Sequence, residues 1–334
     1  KTKEKKCKGD MAMAILKKVK GFWLSILLSF VLFIVIQFLI SGGYLNAYNT
    51  NLINTIGINI ILAVSLHLII GITGQFSIGH AGFLAVGAYA SAVISMKVEM
   101  SFLLALLVGG IVAALVGMLI GIPSLRLKGD YLAIATLGFG EIVRIIILNI
   151  ESLGGARGMM VTHMTTWPWV FGCIVVTIIV IRNFTNSTHG RACISVREDE
   201  TAADSMGINT TYYKVAAFVI GAFFAGIAGG LYAHNFYIIN PSSFGFLKSF
   251  DILIFVVLGG LGSMSGAVIA AILLTLVSSF LSEYSDTRMI IYSIILIVTM
   301  LYRPQGLMGT KEITSFFKRK KKGGMKDANQ QTTA

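Results

Sequence analysis

The sequence predicts an all-α fold, a polytopic bundle of about ten transmembrane helices, because its composition and its apolar stretches suit a bilayer. Of the 334 residues, 55% are apolar and only 13% are charged. A soluble globular chain carries about 25% charged residues, so this chain lacks the polar side chains to cover a water-facing surface. The 36 glycines agree with this interpretation, since small residues let membrane helices approach one another closely.

Nine apolar stretches account for the predicted spans. One of them, 250–281, would be roughly 48 Å long as a single helix, against a hydrocarbon core of about 30 Å. It is also interrupted by glycines between Gly259 and Gly266, so we expect it to cross twice. The other stretches are 22–40, 52–70, 80–96, 102–122, 131–150, 167–181, 215–234 and 288–302.

The positive charge of the chain is concentrated at its two ends. Residues 1–20 carry eight lysines against two acids, and residues 311–327 carry six lysines and one arginine against two acids. Basic segments that flank apolar spans follow the positive-inside rule, so both termini are predicted to be cytoplasmic. The same context argues against nucleic-acid binding as the purpose of these tails.

The chain therefore divides into a basic N-terminal tail (1–21), a single transmembrane domain (22–302) and a basic C-terminal tail (303–334). Since codons for the Lys-Gly that precedes Met11 can spell a ribosome-binding sequence, we expect Met11 or Met13 to be the native first residue.

No cofactor or metal site is predicted on this chain. The five histidines are isolated from one another, and the cysteines lack metal or disulfide spacing. We expect free thiols at Cys7, Cys173 and Cys193. The chain has no G-x-x-x-x-G-K-[ST] phosphate loop and is not expected to hydrolyse ATP itself.

The longest polar segment between predicted spans is loop 182–214. Within it, Ser195 and Glu198 have the spacing of a capping box, and acids up to Glu200 suit the first turn of a helix. Gly207 is a natural left-handed stop. The sequence therefore predicts a short helix over 196–206, followed by a second helix that begins near Asn209–Thr211.

Two interpretations of that short helix remain open. It is either a plain surface helix or a rigid knob that docks on a soluble partner and carries force into the bundle. Ala202 and Ala203 provide a small face suited to close contact.

A short pattern of glycine and serine recurs in the two halves of the transmembrane domain. Gly71-x-x-Gly74-x-x-Ser77 is repeated as Gly259-x-x-Gly262-x-x-Ser265, by duplication or by chance in a glycine-rich chain. Breaks of this kind mark a transport pathway, because irregular backbone at membrane depth lines a cavity or is buried in protein. They are equally compatible with tight turns between ordinary helices.

The segment Gly74–Gly82, which overlaps the first of these motifs, is the best candidate for a pore lining. Its glycines expose backbone groups, and the helix that begins near its end could direct amides at a carboxylate; close helix packing is the alternative. The candidate residues are Gly74, Gln75, Ser77, Gly79 and His80.

Glu141 and Arg144 lie in an otherwise apolar span and, being three residues apart, on one helix face. Charges inside a membrane face a cavity or each other. These two either line a path for a zwitterionic substrate or form a mutually neutralised structural pair.

Five stretches resemble the larger permease subunit of branched-chain amino acid ABC transporters. Loop 182–214 is similar to the coupling loop of ABC importers, with Ala202-Ala203, three residues and Gly207; Thr201 stands where that pattern has an acid. In chain order the stretches are GQFSIGHAGFLAVGAYASA (74–92), GDYLAIATLGFGEIVR (129–144), REDETAADSMGINTTYYKVAAFVIGAFFAGIAGGLYA (197–233), VLGGLGSMSGAVIAA (257–271) and YRPQGLMG (302–309).

The resemblance implies a permease in a bacterial-type plasma membrane that forms half of the substrate pathway of an amino-acid importer. Its implied partners are a second permease subunit, two ATP-binding cassette ATPase subunits that carry ATP and Mg²⁺, and an extracytoplasmic substrate-binding protein. Permeases for urea and short amides share the general pattern. From the residues alone, a stand-alone secondary transporter and a membrane-embedded enzyme are the rival classes.

The motifs and the resemblance together give two groups of candidate functional residues. Coupling to the ATPases falls on Ser195, Glu198, Glu200, Ala202, Ala203 and Gly207. The translocation pathway falls on Gly74, Gln75, Ser77, Gly79, His80, Glu141, Arg144, Gly259, Gly262 and Ser265.

Overall fold

A computed structural model of the protein describes residues 31, 33–125, 127, 129–281, 291, 293–294, 297–298, 301–302 and 306–309. Both basic tails lie outside these ranges almost entirely, together with Cys7, Met11 and Met13. The first predicted span and the last, 288–302, are described only in part.

The described residues form an all-α fold apart from one pair of two-residue strands, β1 (Met159–Met160) and β2 (Ile238–Ile239), which are antiparallel. The longer helices are α1 (Ala47–His67), α2 (His80–Lys97), α3 (Phe102–Ser124), α4 (Asp130–Asn149), α5 (Trp167–Asn186), α6 (Thr188–Glu198), α7 (Glu200–Ser205), α8 (Thr210–Asn235), α9 (Phe246–Gly259) and α10 (Met264–Phe280).

Short helical turns connect several of these elements. A π-helical turn, Leu68–Ile72, continues α1, and residues 33–41 are also helical. Single 3-10 turns occur at Glu151–Leu153, Gly155–Arg157 and Pro241–Phe244.

The chain divides into two units, Lys1–Thr50 with Ile313–Ala334, and Asn51–Glu312. The second unit contains all the contacts described below.

Six described segments are long and apolar enough to cross a membrane: Ala47–Ile72, Phe102–Ser124, Asp130–Asn149, Trp167–Asn186, Thr210–Asn235 and Pro241–Gly259. The protein is thus a polytopic helical membrane protein, as predicted. The apolar interval 250–281 is two helices rather than one, since α9 ends at Gly259 and α10 begins at Met264.

Glycines form the seam at which α2, α3 and α8 pack. A Cβ atom at Gly87 would lie 2.2 Å from the carbonyl oxygen of Gly226, and one at Gly229 would lie 2.1 Å from that of Leu84. Side chains at these positions would hold the backbones apart. Close approach of this kind replaces the hydrophobic effect as the source of helix association in lipid.

Next to the glycine seam, Phe83 packs against two further phenylalanine rings. The ring centroids of Phe139 and Phe218 lie 5.5 Å and 5.4 Å from that of Phe83. Because these residues belong to α2, α4 and α8, the cluster joins three helices that are far apart in sequence.

Buried polar side chains join further pairs of helices. Asn54 on α1 donates to Asn235 on α8 over 3.0 Å, and Ser95 on α2 lies 2.7 Å from His234 Nε2. Asn59 on α1 donates to Thr275 on α10 over 3.0 Å. These bonds fix helix register, since a buried polar atom without a partner is costly.

The prediction of one helix over 196–206 is wrong. Residues 188–198 form α6, the chain breaks at Asp199, and α7 follows. The side chains of Cys193 and Val196 are buried against the bundle. Their burial stabilises helix upstream of residue 196, so α6 begins at Thr188. Ser195 is therefore inside α6 and donates to the Ala192 carbonyl over 2.8 Å, so it does not cap a helix.

Gly87→Ala will weaken the bundle, because the added Cβ would meet the Gly226 backbone rather than a flexible side chain. Forcing such backbone shifts costs about 1–3 kcal/mol. The matched control is Gly138→Ala, also inside a predicted span, where an added Cβ meets nothing within 4 Å. Thermal denaturation of both variants in detergent measures the difference; equal melting temperatures would contradict the seam.

Candidate functional site

The first glycine break (residues 71–79) comprises the end of the π-helical turn and the non-helical residues 73–79 that lead to α2. Gly74 has φ +71°, a conformation that favours glycine. Gln75 is buried and its Nε2 donates to the carbonyl of Lys214 at the start of α8, over 3.1 Å. The buried Ser77 Oγ has no hydrogen-bond partner among the described residues.

Arg197, the penultimate residue of α6, holds this break from the loop side. Its Nη1 donates to the Gly71 carbonyl over 2.6 Å, while its Nη2 lies 2.5 Å from Glu198 Oε1. A Cβ at Gly74 would lie 2.7 Å from Arg197 Cγ. The guanidinium therefore satisfies a carbonyl that the helix break leaves without an ordinary partner, and loop 182–214 contacts the first glycine break directly.

The second glycine break (residues 260–263) meets the first at Gly71. A Cβ at Gly71 would lie 2.5 Å from the Leu261 carbonyl oxygen and 2.5 Å from His67 Nδ1. No side chain fits at position 71 without moving backbone. The repeated motifs of the two halves of the chain thus lie side by side.

The residues predicted in the second motif lie at the turn between α9 and α10. Gly259 packs against the first turn of α10, where a Cβ would lie 2.5 Å from the Ala267 nitrogen. Ser265 Oγ lies 3.0 Å from Ser263 Oγ, and Ser263 caps α10 by accepting from the Gly266 amide. Gly262 is within the turn itself.

Residues near the C-terminal end of the described chain close this turn. The amide of Leu307 donates to the Leu258 carbonyl over 2.8 Å, and that of Met308 donates to Gly259. The end of α9 therefore has its carbonyls satisfied without water.

The start of α2 is a buried contact rather than an open anion site. His80 is fully buried, and its Nε2 lies 2.8 Å from Ser65 Oγ on α1. The Ala81 amide donates to Ser249 Oγ on α9 over 3.2 Å. A Cβ at Gly79 would lie 2.1 Å from the Thr136 carbonyl oxygen, so this glycine serves close packing.

Glu141 and Arg144 form an ion pair, and Glu141 also binds the first residue of α9. Arg144 Nε donates to Glu141 Oε2 over 2.7 Å, and Glu141 Oε1 accepts from the Phe246 amide over 2.9 Å. The carboxylate thereby satisfies the first turn of α9, where the helix dipole favours a negative charge. Both side chains are still more than a quarter exposed, at 29% and 28%.

Within loop 182–214, the first turn of α7 is capped and attached to α8, whereas its C-terminal end is exposed. Asp199 Oδ1 caps α7 by accepting from the Ala202 amide over 3.0 Å, and Glu200 pairs with Lys214 Nζ at 2.7 Å. Ala203 is buried, so it faces its own bundle and does not belong to a docking face. Ala202 is exposed.

The helix stop at Gly207 is as predicted, with φ +85°. Just before it, the side chain of Met206 is 83% exposed. The next helix, α8, begins at Thr210, where Asn209 Oδ1 accepts from the Tyr212 amide over 3.0 Å. The second predicted helix start in the loop is therefore confirmed.

The structure brings together most of the predicted pathway residues at the two glycine breaks, whereas Glu141 and Arg144 lie nearer the middle of the bundle. Sequence reasoning missed the contact made by Arg197 and the exposure of Met206. The signal for Arg197 was a cation directly before the acidic run 198–200. For Met206 it was a large apolar residue before a helix-stop glycine. Neither pattern indicates which residue or partner protein the side chain contacts.

Among the described residues, no three His, Cys, Asp or Glu side chains lie close enough together to hold a metal ion. At the two breaks, the side chains of Gln75, Arg197 and Ser263 satisfy backbone carbonyls and amides. Such an arrangement suits the transmission of movement between a loop and buried helices.

Comparison with protein families finds one match over most of the chain. Residues 48–301 match the model of the permease component of branched-chain amino acid transport systems.

Individual relatives agree with that match. The chain is 35% identical over 263 residues to the high-affinity branched-chain amino acid transport system permease protein LivM of Salmonella typhimurium, covering 67% of this chain and 61% of that protein. LivM of Escherichia coli gives the same identity and coverage. LivH of Escherichia coli is 34% identical over 157 residues, covering 46% of this chain and 50% of that protein. The chain thus spans about three fifths of the length of the LivM proteins it matches.

The loop contacts predict the reactivity of Cys193. Burial raises the pKa of its thiol to about 11, so less thiolate is present at pH 8 than at an ordinary cysteine. The thiolate is the reactive form, and we expect modification about a hundredfold slower than at an exposed cysteine. The measurement is the rate of thiol modification in detergent of a chain with Cys7→Ser and Cys173→Ser. The control carries Ser205→Cys with all three native cysteines replaced by serine. Equal rates would mean that α6 is not packed on the bundle.

Proposed function

The chain belongs to the family of permease components of branched-chain amino acid transport systems, and we propose that it forms one half of the translocation pathway of an ABC importer for branched-chain amino acids. Its partners are a second permease subunit, two ATP-binding cassette ATPases that bind ATP and Mg²⁺, and an extracytoplasmic substrate-binding protein. The named relatives are branched-chain amino acid permeases, which favours these substrates over urea or short amides.

The proposed topology has about ten spans with both termini in the cytoplasm of a bacterial-type cell. The eight described helices α1 to α5 and α8 to α10, together with predicted spans 22–40 and 288–302, give this number. Loop 182–214 and the first glycine break then face the cytoplasmic side. The β1–β2 pair lies toward the opposite side, near the end of α8.

The observation that carries the proposal is the hydrogen bond from Arg197 Nη1 to the Gly71 carbonyl, 2.6 Å long. It joins the loop that resembles an ABC coupling loop to the break that is the best pathway candidate. Through Gly71 the contact continues to Leu261 and the end of α9. Movement of α6 is thus delivered to both glycine breaks at one point.

Docking on the ATPases falls to α7 and its end. Met206 is an exposed apolar side chain of the kind that fills a pocket on a partner. The Glu200–Lys214 ion pair and the buried Ala203 attach α7 to α8, so force applied at Met206 reaches the bundle. Gly207, with its positive φ, fixes the direction in which the chain leaves the knob.

The pathway assignment keeps the two glycine breaks and the Glu141–Arg144 pair. Buried Gln75 Oε1 and Ser77 Oγ, which lack partners among the described residues, leave polar capacity for water or substrate when the break rearranges. The partial exposure of Glu141 and Arg144 supports a water-filled neighbourhood, since charges are costly against lipid.

Reconstitution of the four-component complex tests the proposal as a whole. Proteoliposomes that contain this chain, its second permease and both ATPases are expected to accumulate labelled leucine, isoleucine or valine only with ATP and the binding protein. Uptake of urea or short amides in place of these would overturn the substrate class. Uptake without ATPase subunits would overturn the mechanism.

The docking assignment predicts that Met206→Asp and Gly207→Val insert normally but lose substrate-stimulated ATP hydrolysis. Aspartate places a charge in an apolar contact, and a β-branched residue resists positive φ. We expect stimulation to fall by about tenfold or more, as for a hot-spot residue. Asn186→Ala, exposed at the end of α5, is the control and should match the wild type. Full stimulation in both docking variants, with the complex assembled, would refute the assignment.

The transmission contact predicts a different defect. Arg197→Gln should keep the ATPases bound and hydrolysing ATP, but uptake should fall by about tenfold. The reason is that α6 then loses its hydrogen bond to Gly71 and no longer moves the glycine breaks. Arg191→Gln, an exposed arginine on the same helix, is the matched control. The readout is the ratio of transported substrate to hydrolysed ATP. An unchanged ratio in Arg197→Gln would show that movement travels by another route.

A further inference from the structure

Residues 236–245, which link α8 to α9, enter the bundle instead of crossing over its surface. We call them the re-entrant segment. It starts after Asn235, which hydrogen-bonds to Asn54 near the start of α1. Its carbonyl at Ile239 accepts from the hydroxyl of Tyr89 over 3.2 Å, and Tyr89 lies near the middle of α2.

The far end of the re-entrant segment is equally deep. The ring of Phe244 packs against Tyr89 and Tyr232, with centroids 6.0 Å and 5.4 Å away. The Phe246 amide then bonds to Glu141, near the middle of α4. Helix α9 therefore begins near the middle of the bundle, and at 1.5 Å per residue its 14 residues cover only about 21 Å.

The backbone of this segment is irregular at membrane depth. Apart from one strand residue pair and the single 3-10 turn Pro241–Phe244, it forms no regular helix. The side chains of Ser242 and Ser243 are exposed beside it. Irregular backbone cannot face hydrocarbon; it is buried in protein or lines a water-filled cavity.

The chemistry of the exposed surface favours the cavity. Glu141 and Arg144 stand at the end of the segment with more than a quarter of each side chain open. Phe246 and Leu247, 43% and 55% exposed, lie next to them. A face that mixes an ion pair, hydroxyls and apolar side chains fits a small zwitterion with an aliphatic side chain better than it fits a second helix bundle.

We propose that the re-entrant segment, with Glu141 and Arg144, forms the mid-membrane wall of the substrate pathway. The proposal rests on the proposed transport function and adds a segment to its pathway. Helix α9 connects this wall to Leu261, which lies beside Gly71 and hence next to the Arg197 contact. The wall and the Arg197 contact of the cytoplasmic loop therefore lie at opposite ends of α9.

The test is water access measured by cysteine labelling. The assembled complex carries Ser242→Cys or Ser243→Cys in a background with Cys7, Cys173 and Cys193 replaced by serine. A permanently charged methanethiosulfonate reagent is added to proteoliposomes. The matched control is Ile146→Cys, which is on the same helix as Glu141, 52% exposed, and lines a groove of aliphatic and aromatic side chains.

We expect both serine positions to react at least about tenfold faster than Ile146→Cys, because a thiol in an apolar environment does not form its reactive thiolate. Rates equal to that control would overturn the wall. Fast reaction in the isolated chain that disappears in the complex would overturn it too, since the second permease would then cover the segment. The labelling rate measures water access to the segment and does not depend on transport. It can therefore be interpreted even if the uptake assay fails.

Discussion

The absence of water from the bilayer core is the constraint on which the rest of this structure depends. Each break in a helix leaves amides and carbonyls that only protein groups can satisfy. Here the guanidinium of Arg197 serves the Gly71 carbonyl, the carboxylate of Glu141 serves the Phe246 amide, and the backbone of residues 307–308 serves the end of α9. The breaks are possible because distant parts of the chain supply these partners.

Supplying partners from a distance also couples distant parts mechanically. The group that satisfies Gly71 belongs to α6, between two candidate spans, and the atom that crowds Gly71 from the other side belongs to Leu261. Helix α9 leads from there to the Glu141–Arg144 pair. Coupling through contacts of this kind requires an element with two arrangements that both ends bias. Helix α9 is suited to that role because its first turn is bound to Glu141 and its other end lies beside Gly71.

Much of the fold could be predicted from local patterns. Charge scarcity indicated a membrane bundle, glycine clusters marked the two breaks, and Gly207 has the positive φ that its place after a helix suggested. The prediction for 196–206 failed because Ser195 and Asp199 are both good capping residues in sequence, and burial of Cys193 and Val196 decided between them. The face of α7 was also misassigned, since Ala202 and Ala203 are equivalent in composition but only Ala203 is buried.

By itself, the sequence determined the solvent in which the chain folds, the places where helices start and stop, and the family, because these depend on composition and on patterns of a few residues. The tertiary structure alone decided that the two glycine motifs touch, that Arg197 reaches Gly71 and that residues 236–245 enter the bundle. Those contacts join residues more than a hundred positions apart. Their energy comes from close approach at glycines and from the satisfaction of buried backbone groups, neither of which has a local signature in the chain.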